Sequence, residues 1–169
     1  MAGFGTVGSG VWNTLEKNGD LISERTGKGV SLAITKILVR DPKKSRATKS
    51  IVPAEILTTD WHALVNDPSV DIVVELIGGT TDAFEIVAAA LLAKKPVVTG
   101  NKALLAERGV ELFAISRKME TPIFFEAAIA GGIPIVKTVQ DSFIGNQIHS
   151  FTGIINGTSN YILEQMTLR

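Results

Sequence analysis

Cysteine is absent from this 169-residue chain. Disulfide staples, thiolate metal centres and cysteine nucleophiles are thereby excluded within it. An excess of either charge is missing too, since 17 Lys and Arg balance 17 Asp and Glu. No global field draws the chain to nucleic acid or to an anionic membrane, and neither is expected as a partner. Long apolar runs are lacking: the longest stretch, around residues 86–93, is far short of the ~20 residues that a membrane span needs. No basic head leads into an apolar stretch at the N-terminus, so no signal peptide is expected and a cytoplasmic setting is the simplest reading. The two histidines, His62 and His149, have no ligand-type partners at useful spacing and read as structural or exposed.

What is present is the composition of a globular protein, 45% apolar and 20% charged. The length suits one domain, or one domain and a fragment of another. Lys43, Lys44, Arg46 and Lys49 make the one basic cluster, read as a solvated loop.

Short β-branched runs alternate with helical stretches, the pattern of parallel α/β architecture. Residues 6–17 carry Val7, Val11 and Leu15 at the i, i+4 spacing of a helix face. Residues 31–39 read as a strand, and 40–53 as a polar, proline-punctuated loop. Asp60 is placed to cap a short helix ending at Asn66. Residues 71–75 read as a strand buried on both faces. Gly78 and Gly79 turn the chain into an alanine-rich helix over 81–93, followed by a strand at 96–99, a helix over 107–118 and a strand at 123–126. The glycine turn at 130–132 leads to a helix reaching Asp141. From Phe143 the rhythm changes: 148–155 resembles a strand, and Asn156-Gly157-Thr158 caps a last helix. The expected organisation is a dinucleotide-binding domain over 1–140 and an incomplete start of a second, α+β substrate domain over 141–169.

The chemistry begins at Gly3-Phe4-Gly5-Thr6-Val7-Gly8. A G-x-G-x-x-G spacing allows a tight turn and close approach to a pyrophosphate, which then rests on the amides of a helix N-terminus. Here the loop opens a helix, and a strand ending in Arg40 follows about 30 residues later, the context of a Rossmann-type doubly wound parallel sheet. One part of that context is missing, because only Met1 and Ala2 precede the loop. The absent first strand would be central, leaving a gap of about 10 Å between its neighbours at ~4.8 Å per strand. The expectation is a loosely folded product, or one that recruits a strand from elsewhere.

Arg40 stands where NAD-specific domains place an acid for the ribose 2′-hydroxyl. An arginine suits a 2′-phosphate instead, with Lys43 and Lys44 behind it. Asp41 keeps NAD open if the strand ends one residue later. Lys102, after Thr99-Gly100-Asn101, lies at the C-terminal end of a strand, where open α/β sheets bind ligands. It could hold a carbonyl there, or be a surface lysine that starts a helix. Glu126 could cap backbone amides, or sit beside a small cation with nearby carbonyls.

These blocks, with Glu75-Leu76-Ile77-Gly78-Gly79, the segments 99–106 and 125–134, and the segment 153–163, occur in the order found in homoserine dehydrogenases. The chain closely resembles that family over nearly its whole length, as a piece short at both ends. The resemblance implies an NAD(P)-dependent oxidoreductase that interconverts aspartate 4-semialdehyde and homoserine in threonine, isoleucine and methionine biosynthesis. It implies that Phe4, Thr6 and Val7 lie along the pyrophosphate, with Gly3, Gly5 and Gly8 shaping the loop, and that Arg40 serves the adenosine ribose. Gly78 and Gly100 would border the nicotinamide, and Lys102 would sit beside nicotinamide and substrate as the catalytic cation. A sodium ion would be held at Glu126, Ile129, Gly131 and Ile133, and Asn156, Gly157 and Thr158 would lie on the substrate side. A second lysine and the acids that hold the substrate amine would fall beyond Arg169, so this piece alone is expected to be inactive. The whole protein is expected to be a homo-oligomer acting on a small-molecule substrate. Two other readings stand: a Rossmann aldehyde dehydrogenase of the acylating type, which the lack of cysteine disfavours, and a non-catalytic NAD(P)-sensing module, which would need neither Lys102 nor the 156–158 segment.

Overall fold

A computed structural model describes residues 1–169 except Lys28, Ser45, Arg46, Ala47, Lys49, Ser50, Ile155 and Arg169. Its strands are short and parallel: β1 (Ile37–Leu38) pairs with β2 (Leu57–Thr58), and β3 (Val73–Glu75) pairs with β4 (Val97–Thr99), which pairs with β5 (Ile123–Phe124). Ala2 bridges the two groups, parallel to Leu38 on one side and to Glu75 on the other. Counting Met1 and Ala2 as the first segment, the spatial order is 3-2-1-4-5-6, the order of a doubly wound dinucleotide-binding sheet.

The gap expected beside the glycine loop is therefore not empty. The Ala2 amide donates to the Val74 carbonyl at 2.7 Å, and the Leu76 amide donates to Ala2 O at 2.7 Å. On the other flank the Leu38 amide donates to Met1 O at 2.9 Å, and the Gly3 amide to Leu38 O at 3.1 Å. Two residues thus keep both neighbours in the ladder.

Alternation along each strand sends side chains to two cores. Val73, Val97 and Ile123 pack with Ala2, α2 (Trp61–Val65), α3 (Thr81–Leu92) and α4 (Lys102–Met119). Val74, Leu76, Ile37 and Val39 pack on the other side, with Phe4 and Trp12 from the first turns of α1 (Thr6–Thr26) and the approach to it. The Phe4 and Trp12 rings meet edge to face, centroids 6.1 Å apart.

The elements differ from the sequence expectations in instructive ways. The helix expected over 6–17 runs on to Thr26, with non-helical backbone at Asn18 marking a kink. The strand expected over 31–39 is confined to Ile37–Leu38, the two residues that pair with β2. β2 falls after the expected loop and takes the place beside β1. The strand expected at 71–75 begins only at Val73, and Ile72 is 46% exposed rather than buried. α4 starts at Lys102, five residues early, because the Asn101 side chain accepts the Leu104 amide at 3.0 Å and caps it. No strand forms among the described residues of 148–155. Asp60 and Asn156 cap α2 and α6 (Gly157–Leu168) as read, accepting the amides of His62 and Ser159 at 2.8 Å each. Both histidines are exposed. The basic cluster lies partly outside the described residues; Lys43 and Lys44 are exposed. Among the described residues, no helix is long and apolar enough to cross a membrane.

The bridge has a cost. The Met1 amine donates to the Lys36 carbonyl at 2.6 Å, and burial lowers its pKa from 8.0 to about 5. Folding then favours the neutral amine, so between pH 8 and pH 5 the unfolded chain binds the extra proton and stability falls as pH falls. Urea unfolding of the 169-residue chain should show a gain of up to about 4 kcal/mol from pH 5 to pH 8, and acetylation of the terminal amine should remove that slope. A slope untouched by acetylation would mean that the amine is solvated.

Candidate functional site

The strand order reverses between the Met1-Ala2 segment and β3, and a cleft of about 900 Å³ opens there at the C-terminal ends of the strands. That is where doubly wound sheets bind ligands, and the volume suits a cofactor site. Its floor is the glycine loop, Gly3 to Thr6, and its walls include Leu76 and Ile77 on one side and Val39, Arg40 and Asp41 on the other.

Each loop glycine has a separate reason. Gly3 has φ +98°, and a methyl group on it would lie 2.6 Å from the Leu76 carbonyl oxygen. A methyl on Gly8 would lie 2.4 Å from Gly3 O, so Gly8 lets α1 sit directly on the loop. A methyl on Gly5 would touch nothing within 4 Å. The space beside Gly5 is the cleft itself, and no side chain caps α1 at this residue. The first turn of α1 also lacks an acidic residue. A helix N-terminus so arranged favours an anion.

Of the other expected cofactor residues, Phe4 lines the cleft and is largely buried, its ring edge to face with Trp12. Val7 is 62% exposed and lies off the cleft lining, as does Gly8. Arg40, Asp41 and Lys44 all line it, and one Asp41 oxygen accepts the Lys43 amide at 2.8 Å. Gly78 (φ +72°) is exposed, and Gly100 is half-buried with its amide donating to Glu75 O at 3.2 Å; neither lines the cleft. Lys102 is exposed at the first position of α4.

The 126–133 segment forms a turn rather than a cage. Glu126 Oε1 and Oε2 accept the amides of Val136 and Lys137 at 3.0 and 2.9 Å, so its carboxylate caps α5 (Ile135–Lys137). The Glu126 and Ile133 carbonyls accept the amides of Ile129 and Ile135. Those of Ile129 and Gly131 accept no hydrogen bond among the described residues. No group of three or more His, Asp or Glu that could hold a metal occurs among the described residues. Asn156, Gly157 and Thr158 are exposed at the start of α6, away from the cleft.

Sequence reasoning missed the Glu75 network. Glu75 is fully buried at the end of β3. Its Oε2 accepts the Thr99 hydroxyl at 2.6 Å, and Oε1 accepts the Ile77 amide at 2.9 Å and Asn101 Nδ2 at 3.3 Å. Asn101 Nδ2 also donates to Gly79 O at 2.7 Å, and the Asn101 amide donates to Thr99 Oγ1 at 3.0 Å. The signal was a carboxylate closing an otherwise apolar, buried strand. Thr59, Trp61 and Asp82 line the cleft as well, and no spacing rule marked them.

A G-x-G-x-x-G loop at the switch point of a 3-2-1-4-5-6 sheet defines a dinucleotide-binding α/β domain. A family model for the NAD binding domain of homoserine dehydrogenase matches residues 3–126, and one for homoserine dehydrogenase matches 134–169. The chain belongs to the homoserine dehydrogenase family. It is 43% identical over 166 residues to the homoserine dehydrogenase of Pseudomonas aeruginosa, covering 98% of this chain and 37% of that protein. The crystal structure of a homoserine dehydrogenase from Thiobacillus denitrificans superposes with TM-score 0.88 at 43% identity, over 98% of this chain and 37% of its own. A hyperthermophilic archaeal homoserine dehydrogenase in complex with NADPH is 25% identical, with TM-score 0.66, over 85% of this chain and 48% of its own. The chain thus spans 37% of the first two relatives.

The loop geometry separates two glycines by stability. Gly3→Ala should cost about 2–4 kcal/mol through positive-φ strain and the clash with Leu76 O. Gly5→Ala should cost no more than about 1 kcal/mol, the loss of a helix-capping residue. Denaturant melts of the two variants measure this, and equal losses would contradict the geometry.

Proposed function

We propose that this chain binds NADP, in preference to NAD, and supplies the cofactor half of an enzyme that interconverts aspartate 4-semialdehyde and homoserine. The carrying observation is Gly5, bare of neighbours, at an uncapped helix N-terminus facing the cleft. The pyrophosphate would rest on the amides of the first turn of α1. Arg40 would meet the 2′-phosphate; the use of an Asp41 oxygen by its own loop favours this over a ribose hydroxyl contact from Asp41. The archaeal relative's complex with NADPH supports a nicotinamide cofactor in this domain.

The cofactor, when bound, supplies the hydride. This chain's own groups exclude water and place charge: Leu76 and Ile77 form an apolar wall of the cleft, and the Lys102 ammonium stabilises and protonates the oxygen of the substrate carbonyl. A lysine free in solvent at a helix start can swing to that role. The groups that hold the substrate amine belong to the part of the whole protein beyond this chain, so these residues alone bind cofactor without turning substrate over. For sodium, the Ile129 and Gly131 carbonyls fit a cation; the Glu126 carboxylate, engaged as a helix cap, fits less well, and no catalytic step depends on the ion. The exposed apolar side chains of α6, including Tyr161, Leu163 and Met166, support a contact role for that segment in an oligomeric whole protein.

Titration of the 169-residue chain with NADPH and NADH, read by nicotinamide fluorescence, tests the reading. NADPH should bind more tightly, and Arg40→Asp should weaken NADPH about tenfold or more, the worth of one charge-assisted contact, while sparing NADH. An unchanged preference in Arg40→Asp would remove the 2′-phosphate role.

A further inference from the structure

We propose that Glu75 is a positioning residue for the nicotinamide half of the cofactor site: its carboxylate holds the Gly78–Gly79 turn and the start of α4 in one frame. The proposal rests on the cofactor reading above and goes beyond it in naming what sets the geometry of that half.

Glu75 is fully buried, and no ion pair among the described residues includes it. A carboxylate at such a place is costly to bury unless donors surround it. What an apolar residue cannot do is collect donors. The carboxylate gathers three, from Ile77, Thr99 and Asn101. Through Asn101 the network reaches Gly79 O on one side and the Leu104 amide of α4 on the other. Gly78, Gly100 and Lys102 all lie within this frame, each one or two residues from a member of the network. Arg40, at the other end of the cleft, has no part in it. Loss of the frame should therefore disturb one half of the ligand and spare the other.

Glu75→Gln keeps the shape but puts an amide donor where Oε2 accepts the Thr99 hydroxyl, so that hydroxyl loses its acceptor and the frame loosens. The probes are NADPH and adenosine 2′,5′-bisphosphate, which carries the adenosine half alone. The 169-residue Glu75→Gln chain should bind NADPH about tenfold more weakly, and the bisphosphate within twofold of the unsubstituted chain. Equal weakening of both, or of neither, overturns the proposal. If Glu75→Gln does not fold, Thr99→Val and Thr99→Ser decide: Val should reproduce the selective loss of NADPH and Ser should restore it, while identical behaviour of the two overturns the role. Failure of the unsubstituted chain to bind NADPH overturns instead the cofactor reading beneath it.

Discussion

Four backbone hydrogen bonds made by Met1, Ala2 and Gly3 with Leu38, Val74 and Leu76 join the two halves of the sheet, and the placement of the cleft depends on them. The Met1 amine adds a further bond, to the Lys36 carbonyl. Because Ala2 is bonded on both flanks, Gly3 leaves the sheet in a fixed direction, and its positive φ turns the chain into α1. Gly8 then lets the helix settle against Gly3 without a side chain between them. The helix N-terminus and the ends of β1 and β3 are thus aimed at one cleft by a segment of two residues.

A second constraint works at the opposite end of the site. The buried Glu75 carboxylate joins the ends of β3 and β4 to the turn and helix that follow them. In a low-dielectric interior an unsatisfied polar atom is costly, and no buried side-chain nitrogen or oxygen lacks a partner among the described residues. The frame is therefore held by many bonds that must be kept or lost together. The cleft has one wall set by backbone pairing and the other by a side-chain network.

Much of this was legible in the sequence, for reasons that can be stated residue by residue. The glycine loop was legible because Gly3 and Gly8 answer local steric demands and Gly5 leaves the start of α1 open. Asp60 and Asn156 were legible as caps because a short polar side chain before an apolar-periodic stretch has few other uses. The Asn101 cap hid inside a segment read for its lysine, which displaced the start of α4 by five residues. The strand at β2 was hidden because two residues leave no period to detect. The strand expected at 148–155 failed for the opposite reason: its pattern is apolar, but strands need partners and the pattern does not say whether one exists. Glu126 shows how chemistry can be read correctly and its use left open, since a carboxylate beside a glycine turn suits a cation or a helix end, and here both its oxygens take helix amides. Least legible was the centre of the sheet, where the spacing rule gave an empty place and backbone bonding by Met1 and Ala2 fills it.

Native-state hydrogen exchange of the amides of Ala2, Leu38 and Leu76 in the 169-residue chain tests this bridge most directly. Each donates into or across the joint between the halves. If the bridge unites the sheet, all three exchange only through global unfolding, at the same free energy as the Val97 amide between β4 and β5. Rapid exchange at Ala2, Leu38 and Leu76 while Val97 stays protected would show two halves that open independently, and would contradict a glycine loop aimed by the bridge.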